Sequence, residues 1–364
     1  PDDLAWAFAQ DTPGFFVLTN TRSLAEADAV ALGEEVAAAV ARAAAAAGVD
    51  HMLVSRSDST LRGHFPAETD VLVRAAADAG APVDGVVIVP AMIEPGRLTV
   101  GSVHWMRTAD GMIPVSHSEF ARDATFGYTN ADLRDWVAEK TGGRVGRGAV
   151  ATVTLTDLRG GGPTRVAEIL GGLTDAQPVV VDAATDDDLV EGLLAAEAAG
   201  KRFVHRSGPS FVRARLGQTA RLPLAAGDLH PGTTGPADVR TPVPRGLVVV
   251  GSHVGLTTRQ LDRLRAAGGI TEAELDVPPL LDPARRVEHV RAVAAEVADL
   301  LGGDADVVLR TSRTLVTGAD ADASLAIART VSASMVEVVA EVVARVRPAW
   351  VVAKGGITSS DTAT

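Results

Sequence analysis

Short apolar runs without a polar break confine this chain to few architectures. They include Gly85-Val86-Val87-Ile88-Val89, Pro178-Val179-Val180-Val181, Gly246-Leu247-Val248-Val249-Val250 and Trp350-Val351-Val352-Ala353. A strand with one wet face alternates polar and apolar residues. A continuous run is buried on both faces, as in a parallel sheet covered by helices. His51 to Val54, Phe15 to Thr19, Arg202 to His205 and Asp306 to Leu309 read as further strands, and Val150 to Leu155 alternates as one. Helical stretches lie between them. Ser23 with Glu26 reads as a capping box opening a helix that ends at Gly48. Others start near Pro66 and Pro283, ending at Gly80 and Leu301. The last, near 322–346, carries Leu325, Val331, Met335, Val338, Val339, Val342 and Val346 as one stripe, which suits core packing and also a homodimer contact. The expected fold is α/β in two domains, each a largely parallel sheet flanked by helices. Residues 222–245, rich in Pro, Gly, Thr and Asp without apolar periodicity, read as the linker between domains 1–221 and 246–364.

Charge and composition exclude several classes. The formal net charge of -12 argues against nucleic acid, which needs a basic face. No apolar run approaches the roughly 20 residues of a membrane helix. There is no cysteine, hence no disulfide framework or thiolate metal site. A cytoplasmic protein acting on small molecules is the expectation, with any anion held by local arginines and helix N-termini. There is no P-loop motif. Gly146-Arg147-Gly148 to Ala151 matches the dinucleotide fingerprint in letters, but the strand follows it instead of preceding it. The run Asp186-Asp187-Asp188 suits a helix dipole better than a metal.

The chemistry-bearing stretch is Ser55-Arg56-Ser57-Asp58-Ser59-Thr60-Leu61-Arg62-Gly63-His64, between a strand and a helix. Ligands of α/β proteins collect at such strand ends. Arg62 can grip a carboxylate or phosphate with two parallel hydrogen bonds, and Asp58 can accept a sugar hydroxyl or its proton. A plain capping turn remains an equal reading of the same letters. Arg97, at another strand end, could join Arg62 on one anion or pair with Glu94; a lone His104 is commonly structural. In the second domain, the strand to Val250 runs into Gly251-Ser252, and the last strand into Lys354-Gly355-Gly356-Ile357-Thr358-Ser359-Ser360-Asp361. Both turns suit phosphate held by backbone amides.

Asp58-Ser59-Thr60-Leu61-Arg62-Gly63 resembles the signature of the four-carbon acid sugar kinase family, the ATP-dependent kinases of threonate, erythronate and 3-oxo-tetronate type. Thr19-Asn20-Thr21-Arg22-Ser23, the ordered set Pro90, Ala91, Gly96, Arg97, Thr99 and His104, Ser252 with Gln260-Leu261, and Gly355 to Ser359 are similar to further family segments. The resemblance implies an active site in the interdomain cleft, with Asp58 and Arg62 catalytic. It implies a sugar acid bound by Arg22, Ser59, Thr60, Gly63, Arg97 and His104. It implies ATP held by Ser252, Gly355, Gly356, Ile357, Thr358 and Ser359, with Mg²⁺ bridging the phosphates and Asp361 as a candidate metal ligand. Relatives carry an Asp-Asp-rich strand and loop at the amino end and continue past residue 364. The expectation is therefore a piece of a longer protein. His253-Val254, in place of small or hydroxyl residues, leaves a non-catalytic binding relative as the alternative.

Overall fold

The computed structural model describes residues 2–189, 197, 200–221, 241–242, 245–355 and 362. The chain divides into two compact units, 1–221 and 222–364.

The first unit is built on a five-stranded sheet. Its strands are β1 (Val54–Arg56), β2 (Gly85–Val89), β6 (Ala151–Val153), β7 (Gln177–Val181) and β8 (Phe203–Ser207), in the order β1-β8-β2-β7-β6 and all parallel. Every residue of β2 is buried. Val87 and Val89 pack into one apolar cluster with Leu170, Val179 and Phe211, while Val86 and Ile88 pack into another with Phe65, Leu133 and Trp136. The unbroken apolar run thus feeds two cores, one on each face of the sheet. The helices include α1 (Asp2–Phe8), α2 (Glu26–Ala47), α3 (Ala67–Asp78), α4 (Leu133–Lys140), α5 (Gly162–Gly171) and α6 (Pro209–Arg215). Gly48 ends α2 at φ 67°, the left-handed cap that glycine favours.

Two local expectations need correction. Phe15 to Thr19 joins no sheet among the described residues, and Phe16 and Leu18 are 69% and 65% exposed. β1 is an edge strand, paired with β8 alone among the described strands, and the run makes no ladder with its other edge, so apolar letters alone do not make a strand. Ser23 does not cap α2. It sits in a 3₁₀ turn, Thr21–Ser23, with its hydroxyl donating to the Asn20 carbonyl (2.8 Å), and Ala25 is the cap. Residues 97–114, given no element by the sequence reading, form an antiparallel sheet, β3 (Arg97–Val100), β4 (Val103–Thr108) and β5 (Gly111–Pro114). Its first turn places Gly101 and Ser102 at φ 61° and 64°.

The second unit carries β10 (Leu247–Val250), β11 (Ile270–Leu275), β12 (Asp306–Thr311) and β14 (Val351–Lys354), parallel and in the order β11-β12-β10-β14. Its helices include α7 (Gly255–Ala267), α8 (Val277–Leu280), α9 (Pro283–Leu301) and α10 (Ala321–Arg345). A two-residue pairing joins β9 (Thr241–Pro242) to β13 (Val346–Arg347). Met335, Val338 and Val342 of the α10 stripe are 1%, 0% and 0% exposed and pack against Val290, Val297 and Leu309 in one core cluster. The stripe serves this unit's interior. Register sets Val250 beside Arg310 on one side and Lys354 on the other, so the turns after β10, β12 and β14 lie on one carboxyl edge.

Candidate functional site

The turn after β1 is fastened from behind. Ser57 extends the ladder by donating its N–H to the Ser207 carbonyl (2.9 Å). The chain then reverses, Leu61 N–H donating to the Asp58 carbonyl (3.2 Å). Leu61 holds φ 68°, costly for a branched side chain, and is fully buried. Its apolar side chain anchors the turn in the core beside Phe65 and Tyr128. Tyr128 Oη donates to the Thr60 carbonyl (2.7 Å), and His104 Nε2 donates to the Ser59 carbonyl (2.9 Å). Gly63, at φ 120°, lets the chain turn into α3.

On the open side of this turn the arginines gather. Arg62 Nε donates to Asp58 Oδ2 (2.8 Å), and its Nη1 lies 3.4 Å from Asp123 Oδ2. Asp123 is itself fixed by the N–H groups of Thr125 and Phe126, both at 3.0 Å from Oδ1. Arg22 reaches the same Asp58 oxygen at 3.8 Å. Two long-range ties carry the Arg22 turn there: Thr21 Oγ1 donates to Glu68 (2.5 Å), and His64 Nε2 donates to the carbonyls of Thr21 and Leu24 (3.1 and 3.0 Å). Arg97 Nη1 donates to Ser59 Oγ (2.7 Å) and meets no carboxylate within 4.0 Å among the described residues. The guanidinium carbons of Arg62 and Arg97 lie 4.8 and 5.6 Å from the centroid of the Phe120 ring, which both cations share as a cation–π partner.

Charge here is settled by competition. Burial pushes the Asp58 carboxyl up, but Arg62, Arg22 and the Thr60 hydroxyl outweigh it and hold the group down at about 2. Burial lowers Arg22 and Arg97 from the usual guanidinium value, yet arginine stays protonated. Three arginines therefore face two carboxylates, Asp58 and Asp123. The surplus cation, with Arg97 free of any carboxylate, is what an anionic ligand would neutralise.

The structure thus brings Arg22, Asp58, Arg62 and Arg97 together. Ser59 and Thr60 are 3% and 1% exposed: the first binds Arg97, the second donates to Asp58, and both act as internal wiring. His104 is a correction. It is fully buried, with Nδ1 accepting from Thr99 Oγ1 (3.0 Å) and Nε2 spent on Ser59, so it braces the turn and has no surface for a substrate. Burial pushes its pKa down to about 4, so the ring is neutral. Sequence reading gave Phe120, Asp123 and Tyr128 no role. It also left Arg206 unassigned. This β8 arginine is 1% exposed, lies 4.7 Å over the Trp136 ring and is lowered by burial to about 10, so it remains a cation beneath the turn.

In the second unit, Ser252 begins the turn between β10 and α7, its Oγ 3.4 Å from the Val254 N–H. Val254 caps α7 without a side-chain hydrogen bond. His253 donates from Nε2 to the Ser312 carbonyl (2.9 Å), tying this turn to the one after β12. Gly355 follows β14 at φ 141°. Gly356, Ile357, Thr358, Ser359 and Asp361 lie outside the described residues. Among the described residues no group of three or more His, Asp or Glu is placed to hold a metal ion. No helix among them is long and apolar enough to cross a membrane.

With this geometry in hand, comparison with known proteins decides the family. Residues 3–215 match the model of a sugar-binding N-terminal domain, and residues 247–364 that of a nucleotide-binding C-terminal domain. The chain belongs to the four-carbon acid sugar kinase family. It is similar to a D-erythronate kinase of Heliobacterium modesticaldum, at 31% identity over 268 residues, 71% of this chain and 53% of that protein. It therefore spans about half the length of that curated relative. A solved structure from Salmonella typhimurium LT2 has the same fold, with a TM-score of 0.58 at 16% identity over 98% of this chain and 80% of the other. One from Haemophilus influenzae gives 0.50 at 19% identity, over 97% and 80%. The first unit thus holds the match to the sugar-binding model and the second the match to the nucleotide-binding model.

Proposed function

We propose that this chain forms the working part of a kinase that transfers the γ-phosphoryl group of ATP to a hydroxyl of a four-carbon sugar acid, of threonate, erythronate or 3-oxo-tetronate type. The arginine cluster of the first unit carries the reading. Arg97, without a carboxylate, and Arg62, already oriented by Asp58 and Asp123, hold the acid's carboxylate. Arg22 adds charge beside the same Asp58 oxygen. Asp58 accepts a hydrogen bond from the acceptor hydroxyl and orients it. A carboxyl held at about 2 is a weak base at neutral pH, so orientation replaces the deprotonation that its letter in the motif suggests. Phosphoryl transfer asks mainly for positioning and charge neutralisation, so a fixed acceptor suffices. In the second unit the Ser252 turn and the backbone around Gly355 hold the phosphates by amides at the strand ends. Magnesium would accompany the nucleotide as a charge-neutralising ion, though the described residues offer it no ligand cluster.

The test is ADP release by the full-length enzyme with D-threonate, D-erythronate and 3-oxo-tetronates. Turnover with at least one acid, lost on Arg97→Met, is the expected result. Tight binding of an acid without ADP release would leave only a ligand-binding protein.

A further inference from the structure

The arginines on and around β11 and β12 divide into two kinds. Arg310 pairs with Glu272 (2.6 Å) and Glu274 (2.7 Å), and Arg265 with Glu272 (2.5 Å) and Asp262 (2.9 Å), so their charges are balanced on the spot. Arg313, three residues past Arg310, differs. Its Nη1 donates to the Ser252 carbonyl (2.7 Å) and its Nη2 to Thr258 Oγ1 (2.6 Å). Among the described residues no carboxylate lies within 4.0 Å of its guanidinium. Register explains the reach: Arg310 stands beside Val250, so the chain leaving β12 runs next to the turn that follows β10. The same edge holds the hydroxyls of Thr257 and Thr311, 2% and 0% exposed, with no hydrogen-bond partner. Polar groups on this edge therefore exceed what the fold itself uses.

We infer that Arg313 is a positioning residue for the phosphates of a bound nucleotide, fixing the Ser252 turn against the first turn of α7 and supplying that edge with an uncompensated positive charge. The inference rests on the nucleotide-binding reading of this unit and adds a residue that the family resemblance did not single out. Only a planar, forked cation bridges two acceptors on separate elements in this way; a lysine ammonium offers the charge without the fork. Amide-lined turns at helix starts bind anions through partial charges, and a full charge beside them strengthens that binding in proportion to the ligand's own charge. A mere staple would affect all nucleotides alike.

The experiment compares full-length wild type, Arg313→Met and Arg313→Lys by calorimetric titration with ATP, ADP and adenosine, alongside KM for the sugar acid and the thermal midpoint. Arg313→Met should weaken ATP by about 10- to 100-fold, the span of a lost charged hydrogen bond. ADP should weaken less and adenosine by under about threefold, with the acid's KM unchanged. Arg313→Lys, which keeps the charge, should recover part of the ATP affinity and serves should the methionine variant fail to fold. Equal losses for ATP and adenosine, or no loss in either variant, would overturn the inference while leaving the kinase reading intact. A wild type that binds no ATP would overturn both.

Discussion

Arg62 Nε donates to Asp58 Oδ2 at 2.8 Å, and this pair decides which of the two can take a proton. The Asp58 carboxyl sits at about 2 instead of 3.8. A depressed carboxyl contributes stability above the unfolded pKa and loses it as pH falls through the folded one. Asp58 should therefore contribute on the order of 2 kcal/mol at pH 6, fading between about pH 4 and 2. Urea unfolding of Asp58→Asn should show a deficit of that order at pH 6 and none near pH 2. In turnover, an acid limb assignable to Asp58 should lie below about pH 3; a limb near 6 or 7 that vanishes in Asp58→Asn would make it the base after all.

Arg97 and Arg62 should respond differently to loss of charge. Among the described residues the Arg97 side chain hydrogen-bonds only Ser59 Oγ and the Met92 sulfur, so Arg97→Met leaves no carboxylate stranded there. Its KM for the acid should rise roughly 30-fold, the worth of about 2 kcal/mol in a charged hydrogen bond, with the thermal midpoint nearly unchanged. Arg62→Met removes the partner of two carboxylates and should lower the midpoint as well as the affinity. Equal thermal losses in the two variants would mean Arg97 is a structural arginine.

Two buried histidines give the fold an acid weakness. Burial holds His104 at about 4 and His205 at about 3, both below the ordinary 6.5. The unfolded chain therefore binds more protons than the folded one below about pH 6.5, and stability should drop as pH falls from 6.5 towards 4. His104→Leu should flatten the part of that slope due to His104, at the cost of the Ser59 and Thr99 hydrogen bonds and so of stability at pH 7. An unchanged slope in the variant would contradict a neutral, buried His104.

How far the letters reached differs between fold and site. Runs such as Val86 to Val89 carry their environment in their own composition, because no other arrangement buries both faces. Phe15 to Thr19 looks the same in letters, but pairing into a ladder is a tertiary event that composition does not specify. Asp58 and Arg62 are four residues apart, so their partnership is local and readable. Arg22 reaches Asp58 only because Thr21 and His64 tie distant segments together. His104 looked like a ligand-binding histidine in the motif; its burial is a tertiary fact. Phe120 and Asp123 come from a 3₁₀ segment, Glu119–Arg122, and its end, where no periodicity marks them.

Phe120 is the residue that sequence undervalued most. Its ring lies within 4.8 Å of Arg62 and 5.6 Å of Arg97, the two cations assigned to one carboxylate. An aromatic face attracts each cation by about 0.5 to 2 kcal/mol without consuming the N–H groups that a ligand needs. That fixes both guanidinium planes while leaving their donors available. Phe120→Leu keeps the apolar volume and removes the ring's quadrupole, so KM for the acid should rise about 3- to 10-fold, by that energy spread over two contacts. KM for ATP should not change. A Phe120→Leu enzyme with wild-type KM for the acid would mean that packing volume alone holds the arginines in place.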